Sequence, residues 1–213
     1  MSRTGRRVVL LTVCALAAGV ATVKAFGGLG AEGGTRTITT TTPAATAANV
    51  PVAPAGPEPQ LPRGWRRVRD PQAGFSVGLP PGWTSRRSDG TLVLRSRDRT
   101  LAIAVGADRS DPGKIAAPHT YAREAIESLR GYRGLRSSPA REVQEAPYPG
   151  ALATATGTYA DTGVKQAITL VALQRRGDAT FTLLAFRSAQ SPSSPARRVV
   201  GRVVDTLHAE RPA

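Results

Sequence analysis

Few side chains in this sequence are equipped for chemistry, and their spacing says more than their number. The two histidines, His119 and His208, are far apart, and the single cysteine, Cys14, lies inside an apolar run near the N-terminus. Disulfides, thiolate metal sites and cysteine nucleophiles are therefore excluded for everything after that run. A metal site would have to gather scattered carboxylates around one imidazole, so no metal and no other cofactor is expected. Both histidines read as surface residues, His119 near a helix start and His208 near a helix end.

Three short patterns match known chemical motifs, and each has a plainer reading in context. Gly74-Phe75-Ser76-Val77-Gly78 fits the glycine–serine–glycine nucleophile elbow, which needs a helix directly after the serine. Pro80-Pro81 forbids that helix, so Ser76 is expected as an outward strand residue. Gly28-Leu29-Gly30-Ala31-Glu32-Gly33 has dinucleotide-fingerprint spacing, but it follows an apolar run and precedes a threonine-rich stretch instead of joining a strand to a helix. It reads as a hinge. Arg176-Gly177-Asp178 matches an adhesion tripeptide, yet Gly-Asp between two strands is what a tight turn requires. No catalytic, cofactor-binding or metal-ligating residue is assigned.

Charge is the one functional signal that individual residues carry. The chain of 213 residues has a formal net charge of +14, and only Lys24, Lys114 and Lys165 are lysines, so arginine supplies nearly all of it. Such a balance attracts polyanions. Arg66, Arg67, Arg86, Arg87, Arg95, Arg97 and Arg99 fall on neighbouring strands and read first as a solvated basic surface, with a weak binding face for an anionic partner as the alternative.

The elements that must position these side chains begin with an export signal. Arg3, Arg6 and Arg7 precede Val8–Val23, a run without a charge that Lys24 closes. Its length falls between a signal-peptide core and the roughly 20 residues of a spanning helix, so an uncleaved anchor and a cleaved signal peptide both remain open. Either way the basic end stays inside and the remainder is translocated. The segment 1–31 is thus read as signal or transmembrane helix, and 32–60, rich in Thr, Pro and Ala, as a disordered linker with sites suited to O-glycosylation. Localisation follows as cell membrane with the C-terminal domain outside, or secreted after cleavage.

Residues 61–213 form the expected folded domain, ~150 residues and large enough for one core. Phe75, Val77 and Leu79 alternate with Ser76 and Gly78, giving a strand with one face buried and one open, which Pro80-Pro81 must end. Trp83 is placed beyond the Gly82 turn as an anchor over the end of the core. Segments 91–95 and 100–106 alternate as strands around the polar turn Ser96–Arg99, and 135–145 is a further strand. Segments 151–159, 164–174 and 180–187 make an antiparallel meander. Helical periodicity marks 118–130, with Tyr121, Ala125, Ile126 and Leu129 on one face. A last helix has Ser193 or Ser194 as cap, Pro195 in its first turn, and Val199, Val200, Val203, Val204 and Leu207 as its apolar stripe. The fold class is α+β: an antiparallel sheet with two packed helices.

Asp70-Pro71, Gly74-Phe75-Ser76-Val77, Leu79-Pro80 and Gly82-Trp83, followed by strands, a helix, a meander and a final helix, resemble the PsbP-like α/β/α sandwich domains of actinobacterial envelope proteins. Those include LpqN-type lipoproteins and the extracellular ends of some receptor-like serine/threonine kinases. The resemblance covers about 140 residues by element order, and the first stretch alone by motif. It implies a non-enzymatic binding or adaptor role whose partner is an envelope protein, a small ligand or an anionic envelope polymer. Kinase activity is not implied, because no kinase domain is present, and export removes nucleic acid as a partner. The alternative is a cell-envelope hydrolase or transferase with an unrecognised site.

Overall fold

The computed structural model describes residues 56–88, 90–109, 116–143, 146–175 and 179–210. The apolar run Val8–Val23, the glycine-rich hinge, most of the linker and Arg176–Asp178 lie outside the described residues. Among the described residues no helix is long and apolar enough to cross a membrane.

The described residues form eleven strands and two helices in the order β1 (Arg66–Asp70), β2 (Phe75–Leu79), β3 (Thr84–Ser88), β4 (Thr91–Arg95), β5 (Leu101–Asp108), α1 (Pro118–Glu127), β6 (Tyr132–Ser137), β7 (Arg141–Val143), β8 (Gly150–Tyr159), β9 (Lys165–Arg175), β10 (Ala179–Ser188), α2 (Ser193–Asp205) and β11 (His208–Ala209). Eight strands make one antiparallel sheet in the order β3-β4-β5-β10-β9-β8-β6, with β7 also paired to β8, and β1-β2-β11 make a second, smaller one. This is the expected α+β class. The meander β8-β9-β10 forms the centre of the large sheet because its strands are the longest and most apolar, and each pairs antiparallel with the next.

The large sheet is covered on both faces. Alternation along β5 sends Leu101, Ile103 and Val105 to one face, and along β10 it sends Phe181, Leu183 and Ala185 to the same side. There they meet Phe75, Val77 and Leu79 of the small sheet, Val200, Val203 and Val204 of α2, and Leu207, which falls just beyond the helix end instead of on its expected stripe. Phe75 and Phe181 pack edge to face with ring centroids 6.2 Å apart. Full burial of each such ring or branched side chain contributes about 1.5–3 kcal/mol. The opposite face carries Ala151, Ala153, Ala155, Ile168, Leu170 and Leu184, and α1 lies over its β8–β9 portion through Ala122 and Ile126. The run of alanines in β8 lets the helix approach closely.

Several expectations are corrected. All five residues of β2 are buried, so the strand has no open face. Its second face is covered by Leu61, Trp65 and Thr206, which sit so near Gly78 that an added Cβ would lie within 3.0 Å of each. β1 and β3 form although neither shows an apolar alternation. The strand expected over 135–145 divides into β6 and β7 around Ser138, which bonds back to Thr154. The cap of α2 is Pro192, without a side-chain hydrogen bond, and both candidate serines fall inside the helix. His208 belongs to β11, paired with Ser76.

Candidate binding groove

Three connections that are remote in sequence meet at one end of the sandwich and leave an open groove of about 1030 Å³ between them. The first is the exit of β2. Pro80-Pro81 ends the strand, Gly82 takes the positive φ of +75° that the turn requires, and the Trp83 N–H closes it on the Pro80 carbonyl at 3.2 Å. The indole that results is half-buried, resting on the main core and forming part of the groove floor. The expected anchor is thus in place.

The second connection is the β4–β5 turn. Asp98 accepts the Ser96 hydroxyl at 2.6 Å and the Thr100 N–H at 3.1 Å, while the Ser96 hydroxyl accepts the Leu101 N–H at 3.1 Å. The Ser96 hydroxyl first, and Thr100 after it, hold the Asp98 carboxyl below its ordinary range. Asp98 is spent on the turn itself, which fixes the tip and projects Arg97 along the groove. The third connection runs from β10 into α2. Arg187, opposite Leu101 in the β5–β10 pairing, donates through Nη1 to the carbonyls of Ser188 at 3.1 Å and Ser191 at 2.6 Å. Pro192, Pro195, Ala196 and Val199 supply the apolar wall beyond it.

The seven arginines singled out in the sequence separate into distinct settings. Arg86 stands opposite Val93, and Arg95 opposite Thr84, so the two share the outward face of the β3–β4 hairpin as diagonal neighbours. Partial burial first, and then the charges of Arg99 and Arg86, make Arg95 harder to protonate than a free guanidinium, which places these three together. Arg97, in the β4–β5 turn, lines the groove. Arg66 is exposed on the small sheet. Arg67 and Arg87 are engaged within the fold: Arg67 pairs with Glu58 at 2.9 Å and donates to the carbonyls of Thr206 and Pro59, and Arg87 pairs with the buried Asp70.

Ser76 and His208 face one another across β2 and β11, yet the serine is fully buried and its hydroxyl has no hydrogen-bond partner. Ser76 also sits in mid-strand, without the strand-to-helix elbow that would present it to a substrate. His119 is exposed at the start of α1. The groove itself was not foreseen. It is built where two turns meet the start of α2, and although Trp83, Arg97, Pro195 and Val199 each carried a signal, none pointed to a shared site.

Two antiparallel sheets with a helix on either side of the larger one define an α+β sandwich domain. The particular arrangement is shared with the Ran-binding protein Mog1p of Saccharomyces cerevisiae, at 11% identity and a TM-score of 0.51 over 69% of this chain and 96% of that one. A protein of Bacteroides thetaiotaomicron is similar at 16% identity and a TM-score of 0.50; the match covers 68% of this chain and only 48% of the other. LpqN of Mycobacterium tuberculosis, involved in cell envelope biogenesis, gives 12% identity and a TM-score of 0.48 over 69% of this chain and 92% of that one. At such identities the likeness is one of fold alone. No protein-family model matches the sequence, and no curated protein is similar to it.

Proposed function

We propose that this protein is a non-enzymatic binding module at the cell envelope, tethered to the membrane by the segment around Val8–Val23 and held outside on its Thr- and Pro-rich linker. The observation that carries the binding role is the groove: an apolar floor centred on Trp83, arginines at its side, and as its one acidic lining residue an aspartate already committed to a turn. That combination suits capture of an anionic partner. The charge sequence Arg3, Arg6, Arg7, apolar run, Lys24 supports export, since positive residues are retained on the cytoplasmic side.

Two measurements test this reading. A phosphatase reporter fused after Ala213 is expected to be active only outside the cytoplasm; activity confined to the cell interior refutes export. Envelope material from the source cells is expected to be retained by the full-length chain and lost on Arg97→Glu. Equal retention by both proteins refutes a role for the groove.

A further inference from the structure

We infer that the groove between Trp83, the β4–β5 turn and the start of α2 takes an extended acidic peptide segment whose apolar side chains rest on the floor. This assignment rests on the binding reading above and narrows it to one class of partner.

The size and shape of the site come first. Its volume of about 1030 Å³ is at the upper end of small-molecule sites and is open along its length, which suits a chain passing through. An isolated ion or a single sugar ring would leave most of it empty. The lining decides between a peptide and a glycan. Trp83, Leu101, Val199, Pro192 and Pro195 offer ring and branched carbon surface, whereas Ser96, Thr100 and Ser191 are the hydroxyl side chains beside them. The Ser96 and Thr100 hydroxyls already bond to Asp98. A sugar polymer would find few free partners there for its own hydroxyls, and burying those groups unpaired is costly. Leucine- or valine-like side chains meet no such cost.

Charge sets the remaining requirement. Among the described residues Arg97 has no carboxylate partner, and Arg187 keeps Nη1 on loop carbonyls while the other edge of its planar fork makes no hydrogen bond among those residues. Asp98 is internally satisfied and does not compete for either cation. Arg86 and Arg95 on the outward face of β3 and β4, and Arg99 in the turn close enough to act on Arg95, add positive charge beside it. Acidic side chains alternating with apolar ones therefore match the site in both respects.

The test uses the full-length chain in mild detergent and a fluorescent peptide in which glutamate alternates with leucine, read by anisotropy. Binding is expected at low salt and is expected to weaken about tenfold in Arg97→Glu, the effect of one lost charge-assisted hydrogen bond. Pro195→Glu, at an exposed first-turn position where a glutamate favours the helix, should weaken it similarly without loss of fold. Arg133→Glu, the same charge change on the exposed far-edge strand β6, should leave affinity within a factor of about two. No binding of the peptide, or an equal loss in Arg133→Glu, overturns the assignment. If the peptide fails while envelope material is still retained in an Arg97-dependent way, the acidic-peptide class falls and the binding module stands. If both fail, both fall.

Discussion

The Thr206 hydroxyl joins the end of α2 to the middle of β2: it accepts the Gly78 N–H at 2.9 Å and donates to the Val203 carbonyl at 2.8 Å. β11 pairs with β2 only at Phe75 and Ser76, so the next edge donor of β2 would otherwise be buried without a partner. Thr206→Val keeps the shape and removes the bond, and is expected to cost about 1–3 kcal/mol. Gly78→Ala places a methyl 2.8 Å from the same hydroxyl and is expected to cost a comparable amount. Chemical denaturation of the two single variants and the double variant should show strong non-additivity, because both act on one contact.

Arg87 and Arg86 are adjacent but should behave oppositely. Arg87 holds the carboxylate of Asp70, which is 2% exposed and also accepts the Ala73 N–H at 3.0 Å. Arg87→Met leaves that charge buried and should destabilise by about 2 kcal/mol, less than for a fully buried pair because Arg87 is itself part-exposed. Arg86→Met should change stability by under about 0.5 kcal/mol. Thermal unfolding of the two variants side by side checks the contrast.

Tyr132 makes the fold sensitive to alkali. Burial first, and the neighbouring Tyr159 after it, push its phenol from 10.0 up to about 12, and its hydroxyl donates to Gln166 at 2.6 Å. The folded state therefore retains a proton that the unfolded chain gives up, so this stabilisation is complete below pH 10 and is lost as pH rises toward about 12. Stability measured across that window should fall less steeply in Tyr132→Phe than in the natural protein.

Gly150 opens β8 against a backbone that cannot yield. A methyl there would lie 2.5 Å from the Leu173 side chain and 2.6 Å from the Ala172 carbonyl oxygen. Gly150→Ala is expected to destabilise by about 1–3 kcal/mol, whereas Gly106→Ala, whose methyl meets nothing within 4 Å, should be close to neutral by the same assay.

How much of this was legible in the sequence depended on which face of an element met the core. β4, β5, β8, β9 and β10 alternate or run apolar, and the helix stripes at Ile126 and Val200–Val204 keep their period, so their burial pattern is written in residue type. β1 and β3 carry arginines and serines because each is an edge strand, and pairing with a better-patterned neighbour imposes their structure. Burial of the Ser76 and Gly78 face was hidden because His208 and Thr206, from the far end of the chain, come to lie beside it. Similarly, Arg67 and Arg87 looked like surface charge until Glu58 and Asp70 were brought beside them. The groove was least legible, since no local pattern encodes the meeting of three turns.

Placing β2 between β1 and β11 has a consequence for how the molecule is made. The bond from Gly78 to Thr206 spans 128 positions, and Ala209 must reach Phe75 before the smaller sheet can close. A chain emerging from the ribosome N-terminus first cannot seal that layer until nearly all of the described sequence is out. During this interval the Ile103, Val105 and Leu183 side of the large sheet stands without its full apolar cover.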